Sequence, residues 1–160
     1  MFRLQRTQGK HYDDLLASQL YDQDGFYKAF LDDLKKVKSE LIIESPFITT
    51  RRITSLMPVF KQLVKHGKRI VINTKPLDEH EPYYQAQSAH AIVELQELGI
   101  QVLFTRGHHR KLSIIDKQIT WEGSLNILSQ NDSCEVMRRI YSEKLANQML
   151  AFLHLEKFIT

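Results

Sequence analysis

The residues best equipped for chemistry lie close together in the second half of the chain. The stretch "RGHHRKLSIID", residues 106–116, carries two adjacent histidines, three basic residues and an aspartate around an apolar run. If its backbone is extended, side chains alternate. His109, Lys111, Ser113 and Ile115 then share one face, and His108, Arg110, Leu112 and Ile114 the other. His109 and Lys111 would stand roughly 6–7 Å apart and point the same way. One phosphate group can touch both. Asp116 falls on the opposite face or in the turn, where it is expected to orient neighbouring structure rather than touch substrate. Further on comes "GSLN", residues 123–126. Glycine lets backbone approach a ligand closely. Ser124 can donate one hydrogen bond and the Asn126 amide two. With the point charge of Lys111, this set makes a cradle for a phosphoryl group that gains charge as it reacts. The plain alternative is a basic, hydroxyl-bearing strand pair on a solvated face, which is what a histidine pair alone would suggest.

Such residues act only if secondary structure holds them. The chain has 160 residues, 42% hydrophobic and 26% charged, which suits one soluble globular domain. No apolar run approaches the ~20 residues that span a bilayer. The start, "MFRLQRTQGKHYDD", has no apolar signal core, so a cytoplasmic location is expected. Cys134 is the only cysteine, which excludes an internal disulfide and a thiolate metal cluster. A net charge of +3 permits a phosphate-bearing partner without demanding one.

Residues 1–22 are polar and read as an N-terminal arm with a short helical piece at "DDLLASQL", followed by one domain over 23–160. In "DGFYKAFLDDLKKVKSE", Phe26, Phe30, Leu34 and Val37 recur at helical spacing. "LIIES" reads as a buried strand stopped by Pro46. "SLMPVFKQLVKHG" is again helical, and its start is placed near Thr54 or Ser55 so that Pro58 falls in the first turn. "KRIVINT" is a strand, "KPLDEHEPYY" a long polar loop, "AHAIVELQELG" a helix and "IQVLFT" a strand. "KLSIID", "QITWEG" and "CEVMRRI" read as further strands, and "SEKLANQMLAFLHLEKF" as a closing helix. Helices alternating with strands predict an α/β fold: a mixed, mostly parallel β-sheet with helices on both faces.

The pattern His109-x-Lys111-x4-Asp116-x6-Gly123-Ser124-x-Asn126 resembles the His-Lys-Asp signature of the phospholipase D superfamily in residue type and spacing. The wider stretch to "CEVMRRI" is similar to single-motif, phospholipase D-like nuclease domains, especially those attached to helicases. "LIIESPFIT" looks like the strand that opens such domains. The resemblance covers about residues 24–158 and is specific only at the signature. It implies that His109 is the nucleophile that attacks phosphorus and forms a phosphohistidine. It implies that Lys111 and Asn126 hold phosphate oxygens, that Ser124 supports them, and that Asp116 is structural or electrostatic support. Glu135 stands where the family usually has an acidic residue that orients the histidine ring. The implied reaction uses no metal or other cofactor.

A histidine cannot be nucleophile and general acid in one step: the first role needs a bare ring nitrogen, the second a proton for the leaving oxygen. Strand alternation points His108 away from His109, so it reads as a bystander. The simplest completion is a homodimer with two copies of His109 facing across a two-fold axis.

Other features carry weaker signals. Residues 78–81, "DEHE", hold metal-type ligands but read better as a solvated loop, which with Tyr83 and Tyr84 could instead border the site. Arg51 and Arg52 are candidates for nucleic-acid backbone contact. Arg106, Arg110, Arg138 and Arg139 would form an electropositive rim if they converge. Trp121 and Tyr141 could stack bases, although core packing is the plainer role. The expected function is a phosphodiesterase acting on DNA or RNA. The rivals are phospholipid cleavage by the same chemistry, and a nucleic-acid-binding or dimerising module of a larger helicase-like protein.

Overall fold

The structure is a computed structural model that describes residues 9–129 and 133–158. Residues 1–8 of the expected arm, and 130–132 within the signature-bearing stretch, lie outside the described residues. Among the described residues, no helix is long and apolar enough to cross a membrane.

Seven strands form one sheet in the order β1-β7-β6-β5-β2-β3-β4. They are β1 (Gln19–Tyr21), β2 (Glu40–Glu44), β3 (Arg69–Thr74), β4 (Gln101–Phe104), β5 (Leu112–Ile115), β6 (Ile119–Gly123) and β7 (Met137–Tyr141). The helices are α1 (Gly9–Leu16), α2 (Gln23–Leu34), α3 (Thr50–Lys65), α4 (Pro82–Glu97) and α5 (Glu143–Leu153). The α/β class and the mixed sheet are as expected. The expectation of a mostly parallel sheet needs correction: only β2–β3 and β3–β4 are parallel, and the other four pairings are antiparallel. The physical reason is connection length. Helical crossovers α3 and α4 allow parallel neighbours, whereas the tight turn after β5 forces an antiparallel one.

Residues of the segment expected as an arm form α1 and β1, and β1 pairs antiparallel with β7 at the sheet edge. One sheet face packs on α2, α3 and α4 around Phe26, Phe30, Ile53, Phe60, Leu95 and Trp121. The other face packs on α5 through Ile42, Val71, Ile114, Ala146 and Leu150. Alternation within β5 is as expected, since Leu112 and Ile114 join the α5 cluster and Ile115 the opposite one.

Several helix boundaries differ from expectation, those of α3 and α4 most tellingly. α3 begins at Thr50, so Pro58 lies in its interior. Thr49 caps the helix by accepting from the Arg52 N–H, and Ile53 is fully buried in the added turn. That burial and cap offset the backbone hydrogen bond that Pro58 cannot donate. α4 begins at Pro82 in its first turn, so Tyr83 and Tyr84 are helical and exposed rather than part of a loop.

Trp121 is fully buried and donates from Nε1 to Asp33, which also accepts two bonds from Arg139. This ties α2 to β6 and β7 and makes Trp121 core. Tyr141 is instead exposed on β7.

Candidate active site

The histidine-bearing segment is not itself strand. β4 ends at Phe104 and β5 begins at Leu112, so His108, His109, Arg110 and Lys111 lie in the lead-in to β5. Pairing continues one step beyond the strand, where the Gly123 N–H donates to the Lys111 carbonyl at 3.3 Å. His109 is exposed, and Lys111 folds its ammonium back onto the His109 carbonyl at 2.9 Å. His109, Arg110, Lys111, Gly123 and Arg138 line one open cleft of about 560 Å³. Burial pushes the Lys111 ammonium below the usual lysine range, and the nearby Glu135 carboxylate opposes that.

The second half of the signature sits on the turn that leaves β6. Ser124 donates its hydroxyl to the Glu135 carboxylate in a short contact, and its N–H donates to the Val136 carbonyl at 2.9 Å. Ser133 donates to the other Glu135 oxygen. The Ser124 bond, then the Ser133 bond, hold the Glu135 carboxyl below the ordinary glutamate range. Glu135 therefore stands beside Ser124 and Lys111, and its hydrogen bonds go to hydroxyls rather than to an imidazole. Asn126 is buried, and its Oδ1 has no partner among the described residues. The carbonyls of Asn126, Ile127 and Ser129 converge on the Tyr27 hydroxyl at 3.5, 3.2 and 3.1 Å. Burial pushes the Tyr27 phenol up to about 12, so it stays a donor.

Gly123 has a reason beyond the one expected. A Cβ there would lie 2.0 Å from the Val136 carbonyl oxygen and 2.9 Å from Met137 Cα. The close approach to β7 requires glycine, and the same residue lines the cleft. Asp116 lies in the turn after β5. Its carboxylate accepts from the N–H groups of Lys38, Ser39 and Glu40 and from the Ser39 hydroxyl, all within 3.0 Å.

The arginines do not converge as one rim. Arg110 and Arg138 line the cleft. Arg106 is engaged by Asp78 at 2.8 Å and Glu79 at 3.4 Å, which with the Asp116 geometry shows how loops brace this region. Glu79 also accepts from the Gly107 N–H. The "DEHE" loop thus holds the turn that precedes His108, and its first two carboxylates are spent on that work. Arg139 is bound to Asp33. Arg51 is exposed on the first turn of α3, whereas Arg52 stacks on the Tyr27 ring at 3.2 Å and so braces the Asn126 turn.

The structure separates the buried His108 from the exposed His109, as expected, and gives His108 a partner that the sequence did not reveal: its side chain is fully buried against the equally buried Glu44, in a short Nε2–carboxyl contact. Glu44 was missed. The available signal was a charged residue closing the apolar run "LIIE", since a buried carboxyl must find a partner.

The family model described as "Cardiolipin synthase, PLD-like domain" matches residues 30–155. No curated protein matches the chain in sequence. Among solved structures, the phospholipase D family member Nuc from Salmonella typhimurium superposes with a TM-score of 0.70 at 17% identity, over 85% of this chain and 90% of that one. NucT from Helicobacter pylori gives 0.67 at 18% identity, over 84% and 91%. Phosphatidylserine synthase from Haemophilus influenzae Rd KW20 gives 0.60 at 18% identity, over 88% of this chain but 37% of that one. At these identities the likenesses show the fold.

Proposed function

The chain belongs to the phospholipase D-like domain family, and from that premise we propose that it is a metal-independent phosphodiesterase, an endonuclease on DNA or RNA, with His109 as nucleophile. The observation that carries the reading is that His109, Lys111 and Gly123 share one cleft, with Ser124 and Glu135 next to Lys111. A bare His109 ring nitrogen attacks phosphorus, a P–N bond forms, and the P–O bond to the leaving group breaks. Water then attacks the phosphohistidine and the P–N bond breaks. Lys111 offers positive charge to the phosphoryl oxygens, and the Asn126 amide and Ser124 are the other candidates to hold them. Arg110 and Arg138 on the cleft wall favour a polyanionic substrate.

The proton for the leaving oxygen needs a second group, and the reading assigns it to His109 of a second copy in a homodimer. In support, the chain spans nearly the full length of Nuc and NucT, so the match is to chains of similar size. Exposed Leu20, Val136 and Phe152 also border the cleft, where an opposing chain would cover them. The same apolar border favours a second reading, phospholipid cleavage. A cytoplasmic setting and an accompanying helicase domain belong to the proposal equally. The test is incubation with single- and double-stranded DNA and RNA in EDTA. Wild type is expected to cleave and His109→Ala to lose at least a hundred-fold, roughly the range of a lost catalytic group. Chelator-sensitive cleavage, or an unchanged rate in His109→Ala, refutes it. Headgroup release from liposomes without plasmid nicking establishes the second reading.

A further inference from the structure

The residues on either side of His109 are attached to one buried carboxyl. Glu44 closes β2 and is wholly shielded from solvent. Its Oε2 meets His108 Nε2 in a short contact and lies 3.8 Å from Arg110 Nη1. Its Oε1 accepts from Asn73 Nδ2 at 3.1 Å. Asn73 in turn accepts from the Thr105 hydroxyl at 3.0 Å, and the Thr105 N–H donates to the Thr74 carbonyl at 2.9 Å. The network thus joins β2, β3 and the segment that carries His109.

That segment has little else to define it. Among the described residues, 108–110 make no backbone–backbone hydrogen bond. Gly107 is anchored by Glu79, and Lys111 by Gly123. Between those anchors, among the described residues, the only internal tie is the Lys111 ammonium on the His109 carbonyl. The side chains at 108 and 110 therefore set where the backbone of His109 stands. A buried carboxyl–imidazole pair is a poor way to gain stability, because desolvation consumes most of the attraction. It is an effective way to hold one geometry. A nucleophile displaced by ~1 Å can lose about a hundred-fold in rate. His108 lines a second pocket with His109 and Arg110, but its side chain is fully buried, so it has no direct path to substrate.

We propose that Glu44 and His108 are positioning residues that hold His109 at its attacking distance, through a buried clamp on the backbone that flanks it. The Nδ1 of His108 has no partner among the described residues, so Glu44 is the contact that fixes the ring. The clamp rests on the reading of His109 as the nucleophile.

The test measures kcat and KM on a fluorescent oligonucleotide in EDTA, for wild type, His109→Ala, His108→Ala, His108→Gln and Glu44→Gln. Circular dichroism and thermal melting establish which variants are folded. His108→Ala is expected to lower kcat by about a hundred-fold with KM within about two-fold, as displacement of a reacting group predicts. His108→Gln, whose amide can still reach Glu44, is expected to recover at least about ten-fold of that loss, since one retained donor keeps the clamp partly closed. If His108→Ala does not fold, Glu44→Gln carries the test, with lower kcat at unchanged KM as the supporting result. A folded His108→Ala or Glu44→Gln with kcat within two-fold of wild type, or a loss confined to KM, overturns the clamp. An active His109→Ala overturns the functional reading instead, so the two failures are distinguishable.

Discussion

Asp116→Ala separates support from substrate contact within the His-Lys-Asp signature. The carboxylate accepts from Lys38 N at 2.8 Å, Ser39 N at 2.8 Å, Glu40 N at 3.0 Å and Ser39 Oγ at 2.9 Å. Asp116 also has φ 53°, in the left-handed region that aspartate and asparagine tolerate better than alanine. Hydrogen bonds to a charged group contribute ~1.5–3 kcal/mol each, but this site is part-exposed and water can reclaim the freed donors, so we count about one bond in total. The left-handed backbone adds ~1–2 kcal/mol for alanine. The expected loss is about 3–4 kcal/mol, or a fall in Tm of about 6–16 °C for a domain of this size. Asp116→Asn keeps one acceptor oxygen and the tolerated backbone, so about 1–2 kcal/mol is expected.

The pH dependence distinguishes the mechanism further. Burial alone would raise the Asp116 pKa, but the hydrogen bonds from Lys38, Glu40 and Ser39 outweigh it and hold it below the ordinary aspartate value. A depressed carboxyl contributes stability that is fully present above its unfolded pKa of ~3.9 and is lost as pH falls through the folded value. Thermal unfolding should therefore separate wild type from Asp116→Asn at pH 7 and bring them together in acid. For the folded variants, kcat and KM should stay close to wild type. A Tm unchanged by Asp116→Ala, together with a large fall in kcat, would refute the reasoning and place Asp116 on the substrate.

Gly123→Ala forces a Cβ into the Val136 carbonyl oxygen at 2.0 Å, and backbone cannot yield there without opening β6 from β7. A loss of at least ~2 kcal/mol in urea unfolding is expected, and an unchanged midpoint counts against it. Glu79→Ala removes the anchor on the Gly107 N–H and one partner of Arg106. Because Arg106 is 72% exposed but Glu79 only 26%, stability should change by about 1 kcal/mol, while oligonucleotide cleavage slows several-fold as the turn before His108 loosens. If Arg106 instead served the substrate directly, freeing it would tighten oligonucleotide binding and leave the rate intact.

The signature residues were legible because their types are rare in combination and their spacing is exact enough to be tested against one chain. The helices were legible through their apolar stripes, Phe26–Phe30–Leu34 and Leu56–Phe60–Leu63 among them. The strand directions were not, because apolar runs such as "KRIVINT" look alike whether their neighbours are parallel or antiparallel. Pro58 misplaced the start of α3, since a local rule about proline lost to the burial of Ile53. The partner of His108 was not legible either. Glu44 lay 64 residues from His108, and no local pattern joins residues so far apart.

The spacing of the signature has a structural origin in β5 and β6. The four residues between Lys111 and Asp116 are β5 itself, Leu112–Ile115. The six between Asp116 and Gly123 are the turn at Lys117 and Gln118 and the first four residues of β6. β5 runs antiparallel to β2, with Glu44 opposite Leu112 and Leu41 opposite Ile115. Both ends of β5 are also pinned to β2 by side chains. Beyond its last residue, Asp116 gathers the N–H groups of Lys38, Ser39 and Glu40. Before its first, His108 and Arg110 converge on Glu44. β2 is the strand at which the parallel half of the sheet meets the antiparallel half. His109 is thus placed by the most buried strand of the sheet, although residues 108–110 have no ladder. A one-residue change in β5 would turn every side chain to the other face and pull one of the two pins from its partner. The interval from Lys111 to Asp116 is therefore as much a requirement of the fold as of the chemistry.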